Sequence, residues 1–310
     1  MNKHLQYTLI ALVFLLVGGI IYANTLSSPF VLDSKARIEK NPHLRISTLS
    51  SKSLSRAVFN AQSSKNRPLP NLSFALNYYF DQYGVTYYHV VNIVLHIVTG
   101  ILLFFLFESL LSLSCPGTNT RNHRFLSLFA ALLWLVHPVH TQSVTYIVQR
   151  SNSMAALFCI TSLLMYIYGR TSKSTNQKTV LWATAVAAFL LALGCKQNAA
   201  ILPFIVCLCE WYFFQDLSRK WLRHNLKYLL GVLVLFGVVA FIYLGSDPLA
   251  KLGSLRDFSE ARFTLTERIL TQPRVVVHYL SLFFWPHPSR LNLDYDFPLS
   301  HSLFDPITTL

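Results

Sequence analysis

Acidic residues are scarce in this chain of 310: 13 Asp and Glu stand against 26 Lys and Arg, and charged residues of both signs make up only 13% of the total. Soluble domains keep about a quarter of their residues charged, so an ordinary water-facing surface is excluded. The charge deficit leaves a formal +13. Nucleic acid is not the partner this implies, because the basic residues lie in loops between apolar runs and not along one amphipathic face. Anionic lipids or lipid-linked phosphates fit better. Cysteine is sparse as well. Cys159, Cys195, Cys207 and Cys209 fall inside or at the ends of apolar runs and Cys115 lies in a short loop, which excludes a disulfide framework and a Cys-based metal site.

Apolar residues, at 53%, are what the chain has in abundance, and their distribution in long runs makes it an all-α polytopic membrane protein in expectation. The runs predict spans at about 8–23, 89–113, 125–136, 154–168, 179–194, 199–214 and 228–244, with long loops at 24–88 and 245–310. The first run has a rival reading as a signal peptide cleaved after Ala23, but cleavage would detach the following segment from its anchor. Within the first long loop, Leu72 to Tyr79 mixes apolar and polar residues as an interfacial helix would. Within the second, Val275 to Trp285 is apolar but too short to cross unaided, and is expected to lie in the interface with Asn292-Leu293-Asp294-Tyr295-Asp296 outside. The chain stops at Thr309-Leu310 without a polar tail, which predicts a further span beyond it.

Alternating the spans puts Lys3, Arg121, Arg124, Arg170, Lys173, Lys178, Arg219, Lys220, Arg223 and Lys227 on one face, against only Arg150 and Lys196 in the short loops of the other. The positive-inside rule makes the first face, and the N-terminus, cytoplasmic. Both long loops then face outward.

Chemistry collects on that outer face. Asp33 follows Phe30-Val31-Leu32 ten residues beyond Ala23; the apolar triplet is expected to lie against the bilayer and hold the carboxylate where it acts as a base on something delivered by lipid. His89, Asn92 and His96 share one helical stripe, for which interhelical hydrogen bonding is the alternative to a ligand role. His137-Pro138-Val139-His140-Thr141-Gln142 ends the third span. No local carboxylate completes a metal site with the two histidines, whereas phosphate or sugar hydroxyl contacts suit them. Arg150 opens the fourth span, where its charge opposes the helix dipole and calls for an anion; an interfacial anchor is the competing reading. Lys196, in a tight outer turn with Asn198, and Arg67, before Pro68, carry the same two readings. Outward cations beside one acid make a site for a departing phosphate and an attacking hydroxyl.

At these residues the chain resembles a known family. Phe30-Val31-Leu32-Asp33, Asn41-Pro42, Arg67-Pro68 with Leu72 to Tyr79, Tyr88 to His96, His137 to Gln142, Val144 to Arg150, Lys196 with Asn198, and Tyr279 to Pro286 are together similar to the bacterial branch of the transmembrane and tetratricopeptide-repeat O-mannosyltransferase-like proteins. The resemblance implies a C-type glycosyltransferase-like helical bundle whose long first outer loop bears interfacial helices. It further implies a polyprenyl-phosphate sugar as donor, a protein hydroxyl or other envelope acceptor, and a bacterial inner membrane with the active face periplasmic. Asp33 maps onto the catalytic base. Arg67, His89, Asn92, His96, His137, His140, Gln142, Arg150, Lys196 and Asn198 become candidates for the donor phosphate or sugar. Two departures stand out: Ser34 replaces a usual second acid, and Gln197 a usual glutamate. They leave a divalent metal, and activity itself, open. A catalytically degenerate membrane scaffold is therefore the alternative function, and a transporter is disfavoured because the polar residues cluster on one face.

Overall fold

A computed structural model describes residues 2–61, 67–244, 264–292 and 297–309. Among these residues the secondary structure is helical throughout. The chain divides into two units, Met1–Asp216 and Leu217–Leu310.

The first unit is a helical bundle with a packed cap. Its long helices are α1 (Lys3–Tyr22), α4 (Val85–Ser114), α5 (Thr120–Val136), α7 (Arg150–Thr171), α8 (Thr175–Cys195) and α9 (Leu202–Phe213), and the cap contains α2 (Ser51–Phe59) and α3 (Pro68–Asp81). Among the described residues, four helices are long and apolar enough to cross a membrane: Lys3–Thr25, Val85–Ser114, Ile147–Thr171 and Thr175–Cys195. A fifth is the pair Thr120–Val136 and Pro138–Thr145, bent by 48°. The bend has an evident cause. His137 is extended, and the ring of Pro138 cannot continue α5, so the chain restarts in a short turn and then in α6 (Thr141–Thr145). The chain is an all-α polytopic membrane protein.

Helix α4 organises the bundle, packing against α1, α5 and α7. At 30 residues it is ~45 Å long, about one and a half times the hydrocarbon core. Its N-terminal turns, which carry His89 and Asn92, meet the cap. Close packing with α1 depends on glycine: a Cβ on Gly18 would stand 2.6 Å from Ile97 Cγ1, and one on Gly100 would stand 3.1 Å from the Phe14 ring. Two apolar clusters result. Phe14, Ile97, Phe104, Leu135, Leu164 and Ile167 fill the bundle, while Phe30, Ile38, Leu44, Phe74, Tyr88, Tyr146 and Ile147 form a separate core under the cap.

The second core corrects one expectation. The described residues of 24–88 form a folded cap, and Phe30, 6% exposed, turns inward onto Tyr88, with ring centroids 5.1 Å apart. Of the apolar triplet, Val31 and Leu32 stay exposed. The Phe30 ring meets Tyr88 and Tyr83 edge to face, an arrangement worth about 0.5–1.5 kcal/mol beyond the area it buries.

In the second unit, α10 (Arg219–Leu244) includes the seventh expected span. The run Val275 to Trp285 is a further correction: it is the second half of α11 (Leu265–Phe284), which starts ten residues earlier. Thr264 accepts the Glu267 N–H while the Glu267 carboxylate accepts the Thr264 N–H, a capping box that sets the start. Thr271 and Arg274 then hold the following segment through Ser300 and Pro298. The sixth expected span is an apolar helical segment, Gln197–Phe213, shorter than the full-length spans. Most of the expected segment Asn292 to Asp296 lies outside the described residues.

Candidate functional site

The connection after α1 folds over the bundle and ends in a π-helical turn, Lys35–Glu39. Leu32, just before Asp33, has φ 44°, a left-handed conformation that costs a branched side chain roughly 1–2 kcal/mol. Such a conformation persists only where the surroundings over-determine it. Here the determinants are visible: the Asp33 N–H donates to the Tyr146 hydroxyl at 2.8 Å, and the Val148 N–H donates to Ser34 Oγ at 3.3 Å. The 146–148 segment thus pins the peptide that carries the carboxylate. Ser34 is fully buried in this contact.

Asp33 itself faces outward. Its side chain is 57% exposed and forms an ion pair with Arg37, 33% exposed, at 3.1 Å. Arg37 also lines a small, solvent-open cleft, with a cavity volume of about 10 Å3, together with Arg67, Pro70, Asn71, Phe74, Val148 and Ser151. Arg67 Nη1 donates to Ser151 Oγ at 3.4 Å. Lys196 reaches the same region and donates to Asn152 Oδ1. Burial holds the Lys196 ammonium below its ordinary range, and the charges of Arg67 and Arg37 depress it further. Burial likewise lowers Arg67; Arg37 adds to that and Asp33 opposes it. Tyr146 is pushed up mainly by burial, so its hydroxyl keeps its proton while accepting from Asp33. Arg37 pairs with the carboxylate, Arg67 feels its charge, and Lys196 adds a third cation beside the two arginines.

Behind this mouth lies a buried polar layer centred on Arg150, whose side chain is fully enclosed. Its Nε donates to Asn92 Oδ1 at 2.8 Å, Nη1 to Ser73 Oγ at 2.8 Å and to Asn77 Oδ1 at 2.5 Å, and Nη2 to the Tyr88 carbonyl at 2.9 Å. The Phe74 and Tyr88 rings cover it at 4.5 and 5.6 Å. Neutral oxygens and aromatic faces meet this charge, in place of the anion expected from the helix dipole. Asn92 completes the layer by donating to the Val144 and Ile147 carbonyls. Arg150 and Asn92 thus hold the 144–150 segment that in turn pins Asp33. His89 ties the connection after α1 to α4 through the Ser28 carbonyl at 2.9 Å.

The other histidines gather elsewhere. His96 contacts the Leu135 carbonyl at 2.9 Å, stacks on Trp134 at 4.7 Å and lies 5.3 Å from the His140 ring. His137 accepts the Val139 N–H. Gln142 and Asn198 are exposed. Among the described residues no group of three or more His, Cys, Asp or Glu is placed to hold a metal ion. The structure thus gathers Asp33, Arg67 and Lys196 at one mouth, puts Asn92 and Arg150 beneath it, and sets His96, His137 and His140 in an aromatic cluster of their own.

Sequence reasoning missed Arg37, Tyr146, Ser151 and Asn152. For Arg37 a signal existed in its i,i+4 spacing from Asp33. The other three depend on contacts across more than 80 residues, or, for Asn152, on a partner 44 residues away.

No family model matches the chain, and no solved structure matches it. Curated sequences do. The protein O-mannosyl-transferase TMTC3 of Homo sapiens is 27% identical over 212 residues, covering 64% of this chain and 22% of that protein. This chain is similar to protein O-mannosyl-transferases. F38B6.6 of Caenorhabditis elegans, bearing the same name, is 25% identical over 264 residues, 81% of this chain and 35% of the relative. TMTC4 of Homo sapiens is 30% identical over 196 residues, 59% and 26% respectively. The chain spans between about a fifth and about a third of the length of these relatives.

Proposed function

We propose that this chain is the membrane-embedded part of a glycosyltransferase that moves a hexose such as mannose from a polyprenyl-phosphate carrier to a hydroxyl of a protein or other envelope acceptor. The reaction takes place on the outward face, which is periplasmic in the bacterial inner membrane that the sequence resemblance implies. The observation that carries this reading is an exposed carboxylate, Asp33, paired with Arg37, which lines a cleft with Arg67, while Lys196 lies near enough to both arginines to feel their charge. The names of the similar proteins support the reaction class.

The geometry suits a single displacement. Asp33 takes the proton of the acceptor hydroxyl as its oxygen bonds to the anomeric carbon. The bond from that carbon to the phosphate oxygen breaks, and the electron pair stays on the phosphate. Arg37, Arg67 and Lys196 meet the charge that develops there. One displacement inverts the anomeric centre. Arg150 is a positioning residue in this scheme, since its donors are taken up by protein oxygens.

A second reading, a degenerate scaffold that anchors a partner, draws on Ser34. Buried and bonded to the Val148 N–H, it offers no second carboxylate beside Asp33. Intact masses of envelope glycoproteins separate the two readings, in cells carrying wild-type or Asp33→Asn protein at matched expression. Loss of a hexose-sized increment in the mutant alone supports the transferase. Identical profiles in wild-type, mutant and deletion cells support the scaffold.

A further inference from the structure

Arg37 stands between two partners of opposite use. Toward one side it pairs with Asp33 at 3.1 Å. Toward the other it lines the cleft with Arg67 and Ser151. While the pair holds, Asp33 Oδ2 is occupied by the guanidinium and is not open to an incoming hydroxyl. A guanidinium held by a carboxylate is in turn a weakened phosphate ligand.

We infer that Arg37 is a shared group which leaves Asp33 for the phosphate of the lipid-linked donor, so that the donor must bind before Asp33 is released to act on the acceptor. Three observations carry it. Both side chains are substantially exposed, and exposed pairs are weak enough to exchange readily. Arg37 lies on a π-helical turn, closed by the Lys40 N–H on the Lys35 carbonyl at 2.8 Å, and π turns recur at functional sites. The Asp33 peptide is pinned by Tyr146 and, through Ser34, by the Val148 N–H, so the carboxylate-bearing backbone stays in place when its partner moves. A phosphate is the stronger competitor for a fork of N–H donors in a cleft that Arg67 and Lys196 already make positive.

This inference rests on reading the cleft as the donor site. The test is a double-mutant cycle on the binding of a polyprenyl monophosphate to the full chain in nanodiscs of neutral lipid, using wild-type, Asp33→Asn, Arg37→Gln and the double variant. Both changed side chains reach solvent, and a thermal melt of each of the four proteins checks the fold. Asp33→Asn is expected to tighten binding about two- to fivefold in the wild-type background, Arg37→Gln to weaken it, and Asp33→Asn to give no tightening once Arg37 is gone. Equal tightening in both backgrounds would mean simple repulsion between Asp33 and phosphate and overturns the exchange, as does no tightening in either, while leaving the donor site intact. No binding by any of the four proteins overturns the donor site and the exchange together.

Discussion

At the scale of single residues, the chain spends its few charges in two ways, and burial tells them apart. Arg150 is enclosed and bonded to Asn92, Ser73, Asn77 and the Tyr88 carbonyl. Truncating it to alanine strands those acceptors, each costing about 1–3 kcal/mol when left unsatisfied. Arg150→Ala is therefore expected to lower the thermal midpoint of the detergent-solubilised protein sharply, with Arg150→Lys intermediate because an ammonium cannot reproduce the guanidinium fork. A purely phosphate-binding Arg150 would leave the melt unchanged. Lys196 behaves differently. Its folded value lies below the ordinary 10.5, so the native state holds this proton less tightly than the unfolded chain does. The charged lysine thus costs stability at neutral pH, and that cost fades as pH climbs from the folded value toward 10.5. Bound phosphate reverses the balance by pairing with the ammonium. Affinity for a polyprenyl phosphate should accordingly fall several-fold between about pH 7 and about pH 10, whereas Lys196→Arg keeps its affinity because a guanidinium stays charged there. A flat wild-type profile would remove Lys196 from the site. Asp33, Arg67 and Lys196 stood out in sequence as isolated charges beside apolar runs, and the structure brings them to one mouth. The burial of Arg150 was not legible there, since nothing in one sequence says that Ser73, Asn77 and Asn92 converge on it from two other helices.

Elements transmit these residue roles through close packing. Helix α1 leads into the connection bearing Asp33, and its approach to α4 leaves no room for a side chain at Gly18, where a Cβ would meet Ile97 at 2.6 Å. Gly19, one residue on, has nothing within 4 Å. Gly18→Val should cost about 1–3 kcal/mol of stability through overpacking and reduce transfer along with it, while Gly19→Val serves as the matched control with neither effect. Equal tolerance of both, measured as folded yield after detergent extraction, would contradict the α1–α4 packing. Helix positions were readable from apolar runs because a span must be long and uncharged. The cap was less readable: its core is drawn from Phe30, Ile38, Leu44, Phe74 and Tyr146, short apolar entries scattered in polar sequence, which periodicity does not connect. Helix α11 was half-read for a different reason. The Thr264–Glu267 capping box is a sequence signal, but hydropathy alone registers only the apolar half that follows.

At the scale of the whole molecule, polarity is sorted toward the two ends of the first unit. The end opposite the cap is tied by Arg124 to Glu108 at 3.0 Å and by Arg170 to Glu210 at 2.8 Å, while Asp33, Arg37, Arg67 and Lys196 belong to the cap end. The positive-inside argument assigns the first of these to the cytoplasm. Native Cys115, exposed in the loop between α4 and α5, reports on it directly. A membrane-impermeant maleimide should label Cys115 only after the membrane is opened, whereas a cysteine introduced by Gln197→Cys, at an exposed position beside Lys196, should label in intact cells. The reverse pattern would invert the topology and put the cleft on the wrong side for an outward acceptor.

Transfer itself is the most direct measure of the central claim. Purified wild-type and Asp33→Asn protein, matched by thermal melt, would be given polyprenyl-phosphate mannose labelled in the sugar and a mixture of envelope proteins, and label incorporated into protein would be counted. The account predicts incorporation by the wild type and a loss of about 10²–10⁴-fold in the mutant, the range for removing a general base. Undiminished incorporation by Asp33→Asn would contradict it.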